Sequence, residues 1–322
     1  MRRGLKQALK RPIGRLVELS CRWSNRRTGL ALCYHAIGDP EGDPKHELVP
    51  ALGTARFEAQ VRHLGSRYRI VPASELHDAA MHRRRGQRLP VAITFDDDLS
   101  SHVSDAMPIL RRLGVAATFF LCGASLERPH AFWWERLQRA WGQGVVEERI
   151  LEELGVTDPG REQAPIRRVA AAIEELPPPR RDALAEELRT LAGPDPEDRG
   201  LRAPEVTRLA KAGFEIGFHT RRHDRLSALN DRSLADAMRD GKADLGRAAG
   251  SSIVGISYPH GESDPRVGEA ARAAGYKFGF AATGRAIGPG DHPLLLDRRY
   301  PSRGTLGDFA FDVSRALWGG PR

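Results

Sequence analysis

The chain has 322 residues, 40% of them apolar and 29% charged, which is enough for a real core and excludes a disordered or fibrous protein. Its net charge of +8 is concentrated in residues 1–28, where Arg2, Arg3, Lys6, Lys10, Arg11, Arg15, Arg22, Arg26 and Arg27 face one acid, Glu18; the rest is nearly neutral, so the basic balance does not make the whole protein a nucleic-acid binder. Cys21, Cys33 and Cys122 form no CxxC pair, so neither a disulfide framework nor a cysteine zinc site follows.

Residues 1–28 read as a basic tail ahead of one domain over 29–322. Leu5, Leu9, Ile13, Leu16 and Val17 recur near helical spacing with cations between them, the pattern of a helix lying on an anionic membrane surface. A solvated basic arm has the same composition, and Pro12 and Gly14 weaken a helix. No apolar run approaches the ~20 residues of a membrane span. The tail also lacks the roughly 7–15-residue apolar stretch of a secretory signal. The expected location is the cytoplasm, with peripheral contact on the inner face of the membrane as the tail's contribution. A nucleic-acid-binding reading rests on that tail alone, and no nucleic-acid partner is expected.

Leu30 to His35 is a short apolar run with a polar end and reads as a buried strand, followed by a loop from Gly38 to about Pro50. Residues 57–67 read as a helix and Tyr68–Val71 as a strand. Val91–Phe95 is a strand running into three aspartates; Met107–Leu113 is a helix stopped at Gly114; Ala117–Cys122 is the next strand. Residues 128–203 break this alternation: after Phe132-Trp133-Trp134, the apolar residues Ile166, Val169, Ile173 and Leu176 recur at helical spacing, and Leu184–Leu191 forms another such segment. This stretch reads as a helical insertion, with the tryptophans as packing anchors or as a platform for a sugar. The alternation then returns: helix Pro204–Ala212, strand Phe214–Phe218, helix Ser233–Ala249, strand Ile253–Tyr258, helix Val267–Ala274, strand Tyr276–Ala282 and strand Leu294–Leu296. Short strands alternating with helices predict an α/β fold of parallel strands.

Polar residues gather at the strand ends. Asp96-Asp97-Asp98 closes Val91–Phe95, and adjacent acids there are costly to bury unless something compensates their charge, as a metal does. An Asp-rich turn serving as a cap is the plainer alternative. His219 and His223 follow Phe214–Phe218 at i, i+4, which brings both imidazoles to one side if the segment turns helically. Two histidines and a carboxylate are a common catalytic set for a divalent cation. Tyr258-Pro259-His260-Gly261 and Leu296-Asp297-Arg298-Arg299-Tyr300 are two further polar ends, readable as a plain turn and a surface ion pair.

Together these residues resemble the polysaccharide deacetylases with a NodB-homology domain, carbohydrate esterase family 4, from about Leu30 to about Tyr300. Thr94-Phe95-Asp96-Asp97 resembles the family's first motif and His219-Thr220-Arg221-Arg222-His223 its second. The resemblance implies a distorted (β/α) barrel and one divalent metal, often zinc, with Asp97, His219 and His223 as ligands and Asp96 as general base. It implies an N-acetylated carbohydrate as substrate and acetate as product. Tyr34-His35 resembles the opening of one branch, in which His35 takes the place of the general acid; His260 and His292 are the other candidates. The family's third motif has an arginine where this chain has Ser257, so Arg298 is the candidate to orient the base. A glycine usually follows the first motif; Asp98 either changes that turn or adds charge near the metal. That departure, with no late Leu-x-His motif, leaves a non-catalytic carbohydrate-binding module on the same fold as the alternative function.

Overall fold

The structure, a computed structural model, describes residues 20, 22–156 and 165–319. The expectations for residues 1–19 and Cys21 lie outside the described residues. No helix among the described residues is long and apolar enough to cross a membrane.

The strands are β1 (Leu30–Tyr34), β2 (Arg69–Ile70), β3 (Pro90–Asp96), β4 (Thr118–Leu121), β5 (Glu215–Phe218), β6 (Gly255–Ser257), β7 (Phe278–Phe280) and β8 (Arg298–Arg299). Seven lie in the order β7-β6-β5-β4-β3-β1-β8, every ladder is parallel, and β2 pairs with the start of β3. The sheet nearly closes on itself: Phe280 bridges Leu296, and the Ala281 N–H donates to the Leu296 carbonyl at 2.8 Å. This is the distorted (β/α) barrel that the family resemblance implies. The strands are apolar on both faces because one face fills the barrel and the other is covered by helices. Covering helices include α1 (Thr54–Arg67), α2 (Ala73–Met81) and, beyond a π-helical turn at His102–Ala106, α3 (Met107–Leu113).

Three aromatic rings lie directly on strand glycines. Phe120 lies against Gly217, Phe278 against Gly255 and Tyr258 against Gly279, each so close that a Cβ on the glycine would meet the ring. A strand glycine at such a place marks the close approach of another group.

Between β4 and β5 come α4 (Trp133–Gln143), α5 (Glu148–Glu153), α6 (Pro165–Glu174), α7 (Pro178–Ala192) and α8 (Ala203–Lys211). Helices α4–α7 have a hydrophobic cluster of their own, built from Phe132, Trp133, Trp134, Leu137, Ile166, Val169, Ile173, Leu184 and Leu188 among others. The remaining helices are α9 (Asp231–Ala237), α10 (Lys242–Ala249), α11 (Pro265–Ala273) and α12 (Leu306–Gly319).

Two expectations need correction. The single helix Ser233–Ala249 is two helices, because Gly241 sits in the left-handed region at φ 82° with the Arg221 side chain against it. Leu294–Leu296 is not a ladder strand: Pro293 has no N–H to give, the Leu294 carbonyl is taken by the Tyr258 hydroxyl at 2.6 Å, and only Leu296 bridges β7. The strand beside β1 is Arg298–Arg299 instead.

Candidate active site

The carboxyl ends of β1, β3, β5 and β6 open into one cleft of about 330 Å³, lined by His35, Asp96, Asp97, His219, His223 and His260 among others. Asp96 is the last residue of β3 and points into the barrel. There the fully buried Arg298 reaches from β8 to grip it with two hydrogen bonds, at 2.7 Å to Oδ1 and 2.6 Å to Oδ2. The same guanidinium donates to Ser257 Oγ at 2.6 Å and Thr94 Oγ1 at 3.2 Å, so β8, β6 and β3 are tied through one cation. Burial alone pushes the Asp96 carboxyl up, but the Arg298 charge, its hydrogen bonds and the neighbouring histidines together outweigh it and hold the group well below the usual carboxylate range. The pair is no surface ion pair, contrary to the plainer reading of residues 296–300. Asp297 is also buried and accepts the backbone N–H groups of Gly284, Arg285 and Arg298.

Asp97 leaves the strand with φ 74° and turns its carboxylate to the histidines. Its Oδ1 lies 3.6 Å from His219 Nε2 and 3.6 Å from His223 Nε2, and it is buried without a hydrogen-bond partner. Burial, then the neighbouring Asp96 and Glu135 charges, pushes the Asp97 carboxyl well up. The two imidazoles do not meet by a helical turn. Thr220 and His223 both take left-handed backbone, at φ 57° and 51°, and this tight turn brings the ring centroids to 4.9 Å. The i, i+4 spacing therefore works through a different geometry from the one it suggests. His219 Nδ1 donates to the Ser257 carbonyl at 2.8 Å, which leaves Nε2 facing Asp97 as an acceptor. Burial lowers His219 to about 4 and, with His219 and His260 adding to it, takes His223 well below its ordinary value, so both rings are neutral near pH 7.

These observations decide whether a cation fits. Three donor atoms from Asp97, His219 and His223 lie within 4.8 Å of one another, two are neutral imidazoles, and the carboxylate oxygen between them has no proton donor. That donor set suits zinc or a similar divalent ion. A second group, Cys33, His35 and Asp96, is equally compact but does not fit one: Arg298 already neutralises Asp96, and burial pushes the Cys33 thiol far up.

His35 stands at the end of β1 with Nε2 3.9 Å from Asp97 Oδ2, and burial lowers its pKa from the ordinary value. Asp98 turns away from the cleft. It accepts the backbone N–H groups of Cys122, Gly123 and Ala124 at 2.8, 3.1 and 2.9 Å and fastens the end of β3 to the loop after β4, while its charge still adds to those that push the Asp97 carboxyl up. His260 lines the cleft at φ 60°, with Nδ1 3.5 Å from Glu174 of α6. His292 is exposed and caps Leu294, outside the cleft.

The far wall comes from residues that the motif reading passed over. Arg167, Ala170, Ala171 and Glu174 line it from α6, with Trp133 and Trp134 beside them and Leu48, Val49 and Tyr300 opposite. The signal was present: Ile166, Val169 and Ile173 mark the buried stripe of α6, and 167, 170, 171 and 174 form the adjacent stripe at the same helical spacing. Packing is the role that the structure shows for the tryptophans. They are over nine-tenths buried in the cluster of α4–α7, and they face the cleft.

A family model described as "Polysaccharide deacetylase" matches residues 83–154 and 179–279, more than half of the chain. The chain belongs to the polysaccharide deacetylase family. It is 28% identical over 127 residues to YxkH of Bacillus subtilis (strain 168), a stretch covering 38% of this chain and 42% of that protein. The chain thus spans less than half the length of that curated relative. Among solved structures, the deacetylase PplD of Streptococcus pyogenes superposes with a TM-score of 0.59 at 16% identity, covering 90% of this chain and 98% of that one. IcaB from Ammonifex degensii gives 0.57 at 18% identity, covering 91% and 97%. At these identities the likeness is one of fold. His35, Arg298 and all of α6 fall outside the residues matched by the family model.

Proposed function

We propose that the chain hydrolyses the N-acetyl group of an N-acetylated sugar in a polysaccharide or glycolipid precursor, releasing acetate. The observation that carries this reading is the buried, partnerless Asp97 Oδ1 between two neutral imidazoles, beside an Asp96 held ionised by Arg298. In this reading Asp97, His219 and His223 hold one divalent cation, zinc by the chemistry of the donors. When bound, it polarises the acetyl carbonyl and lowers the pKa of a water.

The chain's own groups do the rest. Asp96 is ionised at any pH near neutral and takes a proton from the water as its oxygen bonds to the acetyl carbon. Arg298 fixes both carboxylate oxygens, so the base does not swing away. A carboxylate kept this acidic holds a proton only briefly. His35, with a ring nitrogen within 4.8 Å of the Asp96 carboxylate and neutral at rest, is the next acceptor. It gives that proton to the amide nitrogen as the C–N bond breaks, leaving a free amino sugar and acetic acid, which ionises in water. The cleft is at the small end of the ~300–1,000 Å³ usual for ligand pockets, which favours a single N-acetylated ring as the part enclosed. The solved structure of PplD is a complex of that deacetylase with acetate.

The test is acetate release from a panel of N-acetylated sugars with zinc, cobalt or nickel added in turn, with Asp96→Asn alongside. Metal-dependent release by the wild type alone supports the reading. A chain that neither holds metal at one per molecule nor releases acetate is a binding module instead.

A further inference from the structure

The cleft occupies the carboxyl ends of the strands, and the amino ends carry a surface of another character. Residues 22–28 run into β1 and the turn 82–88 runs towards β3, and the parallel register Leu30↔Val91 sets the two segments side by side. Buried Arg83 binds them together. Its guanidinium donates to the carbonyls of Ser24 at 3.1 Å, Arg26 at 2.7 Å, Arg22 at 2.5 Å and Gln87 at 2.9 Å. Arg22 and Gly86 add a reciprocal pair at 2.9 Å each way. The segment ahead of β1 is thus part of the folded body.

Two tryptophans stand out from this frame. Trp23 is 60% exposed and lies against Gly86; Trp318, at the end of α12, is 43% exposed, with the Arg26 guanidinium 4.6 Å over its ring. Of the large hydrophobics exposed on the described surface, the remaining one is Tyr300, at the cleft. A single exposed apolar side chain needs no explanation, but two indoles flanking one segment among cations do. Arg22, Arg27, Arg84 and Arg85 are exposed there, and none has a carboxylate partner among the described residues. In the sequence, residues 1–19 add six Lys/Arg and a single acid just ahead of this patch.

Indole rings beside unpaired arginines suit the boundary of an anionic bilayer, where the ring sits at headgroup depth and the cations meet lipid phosphates. Single-stranded nucleic acid also takes arginines and aromatic rings, but in a groove that tracks its backbone. Among the described residues, none of the five main cavities is lined by Trp23, Trp318, Arg84 or Arg85. We propose that the amino-terminal end of the barrel docks on the surface of an anionic lipid bilayer through Trp23, Trp318, Arg22, Arg27, Arg84 and Arg85, with the cleft facing the aqueous phase. This stands apart from the catalytic reading.

The test uses the full chain with vesicles of phosphatidylcholine alone and with about a third phosphatidylglycerol, read by co-sedimentation and tryptophan emission. Binding to the anionic vesicles alone, with a blue shift and weakening in salt, is expected. At about 1 kcal/mol for each arginine near the surface, the double variant R84E/R85E weakens partition about tenfold or more. The double variant W23S/W318S binds several-fold more weakly and loses the blue shift. Circular dichroism and melting of both variants match the wild type. Four outcomes overturn the proposal: no binding to anionic vesicles; equal binding to neutral ones; binding that neither variant changes; or tighter binding of single-stranded RNA through the same four residues.

Discussion

The barrel and helices α4–α7 bury their apolar side chains in separate clusters, and the seam between them is mostly polar. Arg181 of α7 forms a buried pair with Asp224, next to His223; Arg222 of the same turn pairs with Asp182; Arg225 and His260 meet Glu174. On the other side Arg167 donates to the carbonyls of Pro44 and Glu47 at 3.1 and 2.8 Å. The cleft opens at this seam. The barrel supplies the residues we assign to the chemistry, and α6 supplies one wall of the cleft. A family model that stops at 154 and resumes at 179 passes over that wall. The two regions meet in one cleft: the barrel lines it with Asp96, Asp97 and the histidines, the helices laid over it with Trp133, Trp134 and the α6 side chains.

The largest effects expected are in the barrel. Asp96→Asn lowers kcat by about 10²–10⁴-fold while metal analysis still finds one ion per chain. His219→Ala loses both the ion and acetate release, and an active, metal-loaded variant refutes the ligand assignment. Next comes Arg298→Met, which leaves Asp96 buried without its counter-charge and costs about 3–5 kcal/mol of stability in denaturant unfolding. Arg181→Met, across the seam, costs less, about 2 kcal/mol, because Asp224 keeps Arg222 Nε at 3.3 Å. If it matches Arg298→Met, the two regions are not as separable as their cores suggest. Glu174→Gln in the wall changes KM several-fold with kcat nearly kept; a fall in kcat alone would instead put α6 in the chemistry.

The smallest effect is a matter of pH. Asp195 joins α7's end to Arg136 of α4; burial raises its carboxyl, and the hydrogen bonds from Arg136 and Ala131 outweigh that and lower it. A folded-state pKa below the unfolded value of ~3.9 means a contribution present above that value and lost as pH falls through the folded one. Asp96 is held lower still. As pH falls below ~3.9 the emission of Trp133, Trp134 and Trp141 in α4 should therefore change before the far-ultraviolet signal of the whole molecule. Simultaneous loss would show one cooperative unit.

Most of the barrel was legible because its strands are short apolar runs between turn residues, each ending in the polar side chains that matter: His35 after Tyr34, Asp96 at the end of β3, His219 after Phe218. Helices α2 and α12 and the turn at His102–Ala106 were not read. In α2 the buried stripe is mostly alanine, a weak signal; in α12 Phe309, Val313 and Leu317 did carry helical spacing and the signal was passed over; His102 is a polar residue buried beneath Phe95 and Phe119. The left-handed backbone of Thr220 and His223 was hidden for a related reason: non-glycine residues seldom take it, so spacing suggested a helical turn. Arg298 could be named only through resemblance. Nothing within a few residues of it indicates that its guanidinium crosses 202 positions of chain to Asp96.

The rings lying on Gly217, Gly255 and Gly279 have a consequence for how such a chain can vary. Each glycine and its ring fill one volume between them, so neither side of the bargain can be rewritten alone: Gly217→Ala is tolerated only with a smaller side chain at Phe120, Gly255→Ala only with one at Phe278, and Gly279→Ala only with one at Tyr258. Single-step mutational routes through these three positions are closed, and any descendant that leaves glycine there must carry its compensation on or at the end of the neighbouring strand.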